Sequence, residues 1–174
     1  MIKMDSKAFQ ESVKALADMY ERMLVIAVMK ASEAFLTNIV MNNPLGDDQF
    51  YARLYKERQD SSGYKPIQGL SKGSWITELN AVTPEREGLY DSTGAGKAVT
   101  LTFKTEMRNF KLGDVIYFHN SVDYINATTP SGKKPVDGDK LVANAYAQRE
   151  AILKKAFAEA RSYIKKEISK AKGI

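Results

Sequence analysis

Three stretches hold residue types that could do chemistry. The first, "DSTGAGKA" at residues 91–98, has the glycines and lysine of a phosphate-binding loop. A Walker loop needs Gly where Asp91 stands, to make its first turn, and Ser or Thr where Ala98 stands, to hold magnesium. Lacking both, the stretch reads as a flexible turn. The second, "DGD" at residues 137–139, alternates carboxylates as a calcium loop does. It lacks the later oxygen ligands, notably the bidentate Glu, and reads as a turn and helix cap. The third is His119, the only histidine in the chain.

Zinc chemistry needs several ligands at set geometry, and a triad needs a nucleophile and an orienting group around its base. The chain has no Cys, no second His and no Ser-containing elbow. His119 therefore reads as a structural or surface residue on a strand. No catalytic, cofactor-binding or metal-ligating residue is expected, and a small hydrolase would have to work through Asp114 or His119.

A length of 174 residues with 44% hydrophobic content suits one well-buried domain, residues 1–174. The lack of Cys excludes disulfides and thiolate metal sites. The termini show no signal peptide, and the most apolar run, "MLVIAVM" at residues 23–29, is about a third of the roughly 20 residues that cross a bilayer. A soluble protein with no membrane contact is expected.

The net charge of +5 is localised. Residues 1–147 hold 18 basic and 18 acidic side chains, and the excess lies in the last helix: Arg149, Lys154, Lys155, Arg161, Lys165, Lys166, Lys170 and Lys172 against Glu150, Glu159 and Glu167. Cations near a helix C-terminus suit the macrodipole, so a solvated basic face is one reading. Contact with nucleic acid or an acidic partner is the other.

The elements that would position these residues follow from periodicity. Phe9, Val13, Leu16, Tyr20, Leu24, Ala27, Ala31, Phe35 and Ile39 recur at spacings of three and four, which predicts a helix over about 5–42, opened at Asp5 or Ser6 and stopped by "NNP". Such a helix is about 50 Å long and outruns a small core. Six of the seven Met lie at or before Met41, with Met19 and Met23 one turn apart. They can fill a core or adapt to a partner.

A second amphipathic helix is predicted over about 141–171, with Ile152, Leu153, Ala156, Phe157, Ala160, Ile164 and Ile168 on one face. Between the helices, "GSWITELNAV" at 73–82, "AVTLTF" at 98–103 and "DVIYFHN" at 114–120 read as strands of a sheet over about 73–120. Residues 104–110 fit strand or helix. The fold class expected is α+β, a small antiparallel sheet against long terminal helices.

In "GDVIYFHNSVDYI" (113–125), Gly113 and Asp114 launch a strand that turns Val115, Tyr117 and His119 one way and Ile116 and Phe118 the other. Asn120 and Ser121 end it, and Tyr124 anchors the exit. Trp75, Asn120 and Tyr124 are thus candidate structural anchors. About a third of the chain is long loop, residues 43–72, 83–97 and 127–140. So much loop suits a subunit completed by its neighbours rather than a compact enzyme. Within the first loop, Tyr51, Leu54, Tyr55, Tyr64, Ile67 and Leu70 are apolar handles for a partner, and Arg53, Lys56 and Arg58 could meet its carboxylates.

The Gly-Asp turn, the apolar strand ending in Asn120 and the Tyr four residues later resemble the neck and tail-completion (tail terminator) proteins of tailed bacteriophages. The segment "SKGSWITELNAV" is similar to that family's Thr-Gly-Arg…Trp segment, with Gly73 and Trp75 matching. Gly132 and Gly138 stand where the family has a Gly-Ser loop and a helix-opening Gly. Residues 71–160 carry the resemblance, and the N-terminal helix matches by type alone. The chain departs from the pattern at Asp123, where the family has Pro, at Ser74, where it has Arg, and in a longer first loop.

The resemblance implies a non-enzymatic virion protein. It would form a homo-oligomeric ring, a hexamer by preference, at the head-tail junction, and would assemble in the host cytoplasm. Its expected partners are copies of itself, the head-tail connector proteins and the tail tube protein, with DNA passing through the ring. The alternative is a nucleic-acid-binding module using the basic last helix.

Overall fold

The computed structural model describes residues 6–43, 70–83, 96–120, 122 and 137–171. In chain order they form helix α1 (Ser6–Asn42), a short helical turn α2 (Leu70–Gly73), strand β1 (Trp75–Leu79), helix α3 (Lys97–Glu106) closed by a 3-10 turn (Met107–Asn109), strand β2 (Ile116–Asn120), and helices α4 (Gly138–Ala147) and α5 (Arg149–Ala171). The fold is α+β, with the helices packed on a two-stranded antiparallel sheet.

The residues read as a strand at 98–103 lie in a helix. Val99 and Phe103 fit both an alternating and a helical period, but a strand would also turn Leu101 inward. Instead Leu101 is 66% exposed, while Val99, Phe103 and Met107, spaced by four, are all buried. The helical period runs on into 104–110, which continues as helix and 3-10 turn and ends at Phe110.

The last helix begins earlier than the hydrophobic pattern implies and is interrupted. Asp137 caps α4 by accepting the Lys140 N–H at 2.9 Å, as a cap residue should. At Gln148 the chain leaves helical geometry before α5 starts.

β1 and β2 pair Trp75 with Asn120, Thr77 with Phe118 and Leu79 with Ile116 on one face, and Ile76 with His119 and Glu78 with Tyr117 on the other. The first face meets the helices. Phe118 stacks on Phe35 of α1, with ring centroids 6.1 Å apart, and lies 6.5 Å from Phe103 of α3. Leu36, Ile39, Val40, Trp75, Val99, Phe103, Met107, Leu141 and Ala145 complete the core.

α1 and α5 run antiparallel. Asn38 Nδ2 donates to Gln148 Oε1 at 3.0 Å, and Lys30 pairs with Glu159 at 2.9 Å. Stepping back eight residues on α1 thus advances eleven on α5. Ala171, at the end of α5, lies level with about residue 20 of α1, so the first four turns of α1 extend past it.

Candidate assembly surface

Asn43, Ser71 and Asn120 meet in a polar knot at the end of the sheet where Trp75 pairs with Asn120. Asn43, just past α1, donates from Nδ2 to the Ser71 carbonyl at 3.1 Å and to Ser71 Oγ at 3.0 Å. Asn120, at the end of β2, donates to the same carbonyl at 2.7 Å, and its Oδ1 accepts the Val122 N–H at 3.1 Å. Asn43 and Ser71 are almost fully buried. Buried amides are costly unless bonded, so this knot fixes the end of α1, the entry to β1 and the exit of β2 relative to one another.

Trp75, the partner of Asn120 in the ladder, is buried in the core. Among the described residues its indole Nε1 has no hydrogen-bond partner, and the same holds for Ser74 Oγ and Thr77 Oγ1. Trp75 therefore acts through packing area rather than through its polar edge. Tyr124 lies outside the described residues.

A second polar knot closes the far end of the ladder. Asn80 adopts a left-handed conformation (φ 64°), which Asn tolerates better than most residues. Its side chain donates to Asp114 Oδ1 at 2.9 Å and accepts the Val115 N–H at 3.0 Å. Asp114 also accepts the Lys111 N–H at 2.7 Å. The Asn80 bond, with help from the Lys111 N–H, holds the Asp114 carboxyl below its ordinary value.

His119 has a partner that sequence reading missed. Its Nε2 lies 2.8 Å from Glu78 Oε2, which also accepts the Thr83 N–H at 2.7 Å. Glu78 is 41 residues away in sequence and reaches His119 diagonally across the ladder. The pair is partly buried and joins the two strands. Among the described residues no group of three or more His, Cys, Asp or Glu gathers as a metal site would require.

The motif at 91–98 enters the description at Gly96. This residue sits at φ 70° immediately before α3, and a Cβ there would lie 3.0 Å from Val40 Cγ1. Glycine is thus required for both the turn and the approach of α3 to α1.

The outer surface differs in kind from these knots. Phe9, Val13, Leu16, Tyr20 and Leu24 form one stripe along the first half of α1, each between 38% and 55% exposed. The stripe continues into Ala27 and Ala31, which are buried where α1 lies along α5. The periodicity thus divides in two, a buried half and an exposed half. On α5 the hydrophobic face divides likewise: Ala156, Ala160 and Ile164 are buried, and Leu153, Phe157 and Ile168 are exposed. The basic residues Lys154, Lys155, Arg161, Lys165 and Lys166 are exposed too.

α1 contains an 18-residue stretch long and apolar enough to cross a membrane by length and composition, which the seven-residue run did not convey. The same helix gives Leu36, Ile39 and Val40 to the core and pairs Lys30 with Glu159, as a core helix does.

Tyr51, Arg53, Leu54, Tyr55, Lys56, Arg58, Tyr64 and Ile67 lie outside the described residues. Leu70 opens α2. Compared with known protein families, with characterised proteins and with solved structures, the chain matches none of them.

Proposed function

We propose that the protein is a structural virion subunit of the neck and tail-completion type, forming a ring at the head-tail junction that completes the tail and joins it to the head. The observation that carries this reading is the half-exposed apolar stripe on the overhanging end of α1. Contiguous exposed apolar surface of this kind marks contact with another protein or a membrane. Placed in a ring, such a subunit needs lateral neighbours and axial ones, here further copies of the chain, a connector protein and the tail tube protein.

The two polar knots support the same reading. They stiffen the segments that carry the resemblance, around Ser71, Trp75 and Asn120, and a rigid sheet is what a ring subunit needs to hold its interfaces at a fixed angle. Electron microscopy of the purified protein tests the reading through the presence or absence of rings.

A second reading has its own observation, the row of exposed Lys and Arg on α5. It makes the protein a nucleic-acid-binding module. Its signature is DNA affinity that falls steeply as salt rises, because bound cations are released from the phosphates.

A further inference from the structure

Two complementary features lie at opposite ends of the α1–α5 pair. One is the stripe of Phe9, Val13, Leu16, Tyr20 and Leu24, which runs from the end of α5 out along the part of α1 that extends past it. The other is a groove of about 590 Å³ between the two helices near the end of α1 and the start of α5. Ala34, Thr37 and Met41 of α1 and Ala151, Ile152 and Ala156 of α5 line it, together with Glu33, Lys155 and the Lys30–Glu159 ion pair.

We infer that the stripe of one copy lodges in the groove of the next. The stripe is a direct continuation of the seam along which α1 already packs on α5, at the same three- and four-residue spacing, so its surface is that of a helix-helix contact. The groove's alanines let a third helix approach to the 8–10 Å typical of packed helices. From Phe9 to Leu24 the stripe advances fifteen residues, or about 22 Å, and the α1 wall of the groove from Lys30 to Asn42 advances twelve, or about 18 Å.

Charge points to protein rather than lipid or nucleic acid. Lys7, Lys14 and Arg22 are balanced by Glu11, Asp18 and Glu21, and at 3.6 residues per turn all six lie away from the stripe. A helix that lies on anionic membrane carries a Lys/Arg-rich polar face, and one that binds nucleic acid needs a net positive charge. The neutral overhang has neither.

Because the stripe and the groove are different surfaces, the contact is head-to-tail. Repeated, it closes into a ring when the rotation allows. The identity of the occupant, a second copy, rests on the ring reading above; the location of the contact does not.

The test uses Leu16→Glu, which spoils the stripe, and Ala151→Arg, which blocks the groove. Both positions are exposed, and circular dichroism checks the fold. Should either variant misfold, Val13→Glu and Thr37→Arg replace them. Sedimentation-velocity ultracentrifugation of the parent chain at tens of micromolar is expected to show oligomers, each variant alone to show monomers, and an equimolar mixture to show a heterodimer joined by the one intact contact. Ala151→Arg assembling like the parent overturns the groove, and both variants assembling like the parent overturns the whole contact; in either case the ring reading survives. A parent that stays monomeric at tens of micromolar overturns both. A monomeric parent that sediments with phosphatidylcholine–phosphatidylglycerol vesicles makes a bilayer the occupant and overturns the inference.

Discussion

Asn120 Nδ2 donates to the Ser71 carbonyl at 2.7 Å, across 49 residues of chain. Through that carbonyl Asn120 and Asn43 share one acceptor, so the last residue of β2 and the residue after α1 are tied to the same point. Asn120→Ala removes one of two donors from the buried Ser71 carbonyl and leaves the Val122 N–H without its acceptor. The expected loss is about 1–3 kcal/mol of unfolding free energy, measured by urea denaturation. A variant with the parent's midpoint would show that the knot is dispensable.

Trp75 fills the core beside this knot. Trp75→Ala is expected to cost about 3–5 kcal/mol. Trp75→Phe is expected to cost much less, since it keeps most of the ring packing and deletes an indole N–H that has no partner among the described residues. Thermal melts compare the three. A Trp75→Ala variant melting within a degree or two of the parent contradicts the assignment.

Gly96 and Gly113 separate two consequences of positive φ. At Gly96 an alanine meets both backbone strain and the Val40 methyl at 3.0 Å, whereas at Gly113, φ 101°, nothing lies within 4 Å of the added carbon. Strain alone is worth roughly 1–2 kcal/mol for an ordinary residue in the left-handed region. Gly96→Ala is expected to lose that and more, by chemical denaturation, because it also pushes α3 from α1. Equal stability of Gly96→Ala and the parent would contradict the close approach.

Asp114 gives the fold an acid-sensitive contact. Its carboxyl lies below its ordinary value of 3.8 because the ionised form accepts from Asn80 and from the Lys111 N–H. A depressed carboxyl adds stability that is complete above its unfolded value and is lost as pH falls through the lower folded value. The parent is therefore expected to lose stability below about pH 4, and Asp114→Asn to lose less over the same interval. The same slope in both, by denaturation at pH 5 and pH 3, would remove Asp114 from that role.

His119 joins the strands through Glu78, and a structural part is proposed for it. His119→Gln keeps a group that can bond the carboxylate and is expected to fold and assemble like the parent, as judged by circular dichroism and particle mass. A folded His119→Gln chain that no longer assembles would contradict this.

How much of this was legible in sequence depends on the range of each interaction. α1 was legible because nine apolar residues keep one helical phase, and β2 because its faces alternate around Phe118. Residues 98–103 misled because Val99, Leu101 and Phe103 also alternate. Leu101 separates the two periods, since a strand would bury it beside Val99 and Phe103, and its exposure is a tertiary fact. The division of the α1 stripe into buried and exposed halves was not legible, since it depends on where α5 ends alongside. Nor was the His119–Glu78 pair, which exists only once the strand register is set.

The most direct test of the ring proposal is negative-stain electron microscopy of the purified parent chain at micromolar concentration. Closed rings of uniform diameter, with six-fold symmetry the expected one, are the predicted result. Fields of single compact particles that stay so as the concentration is raised would contradict it.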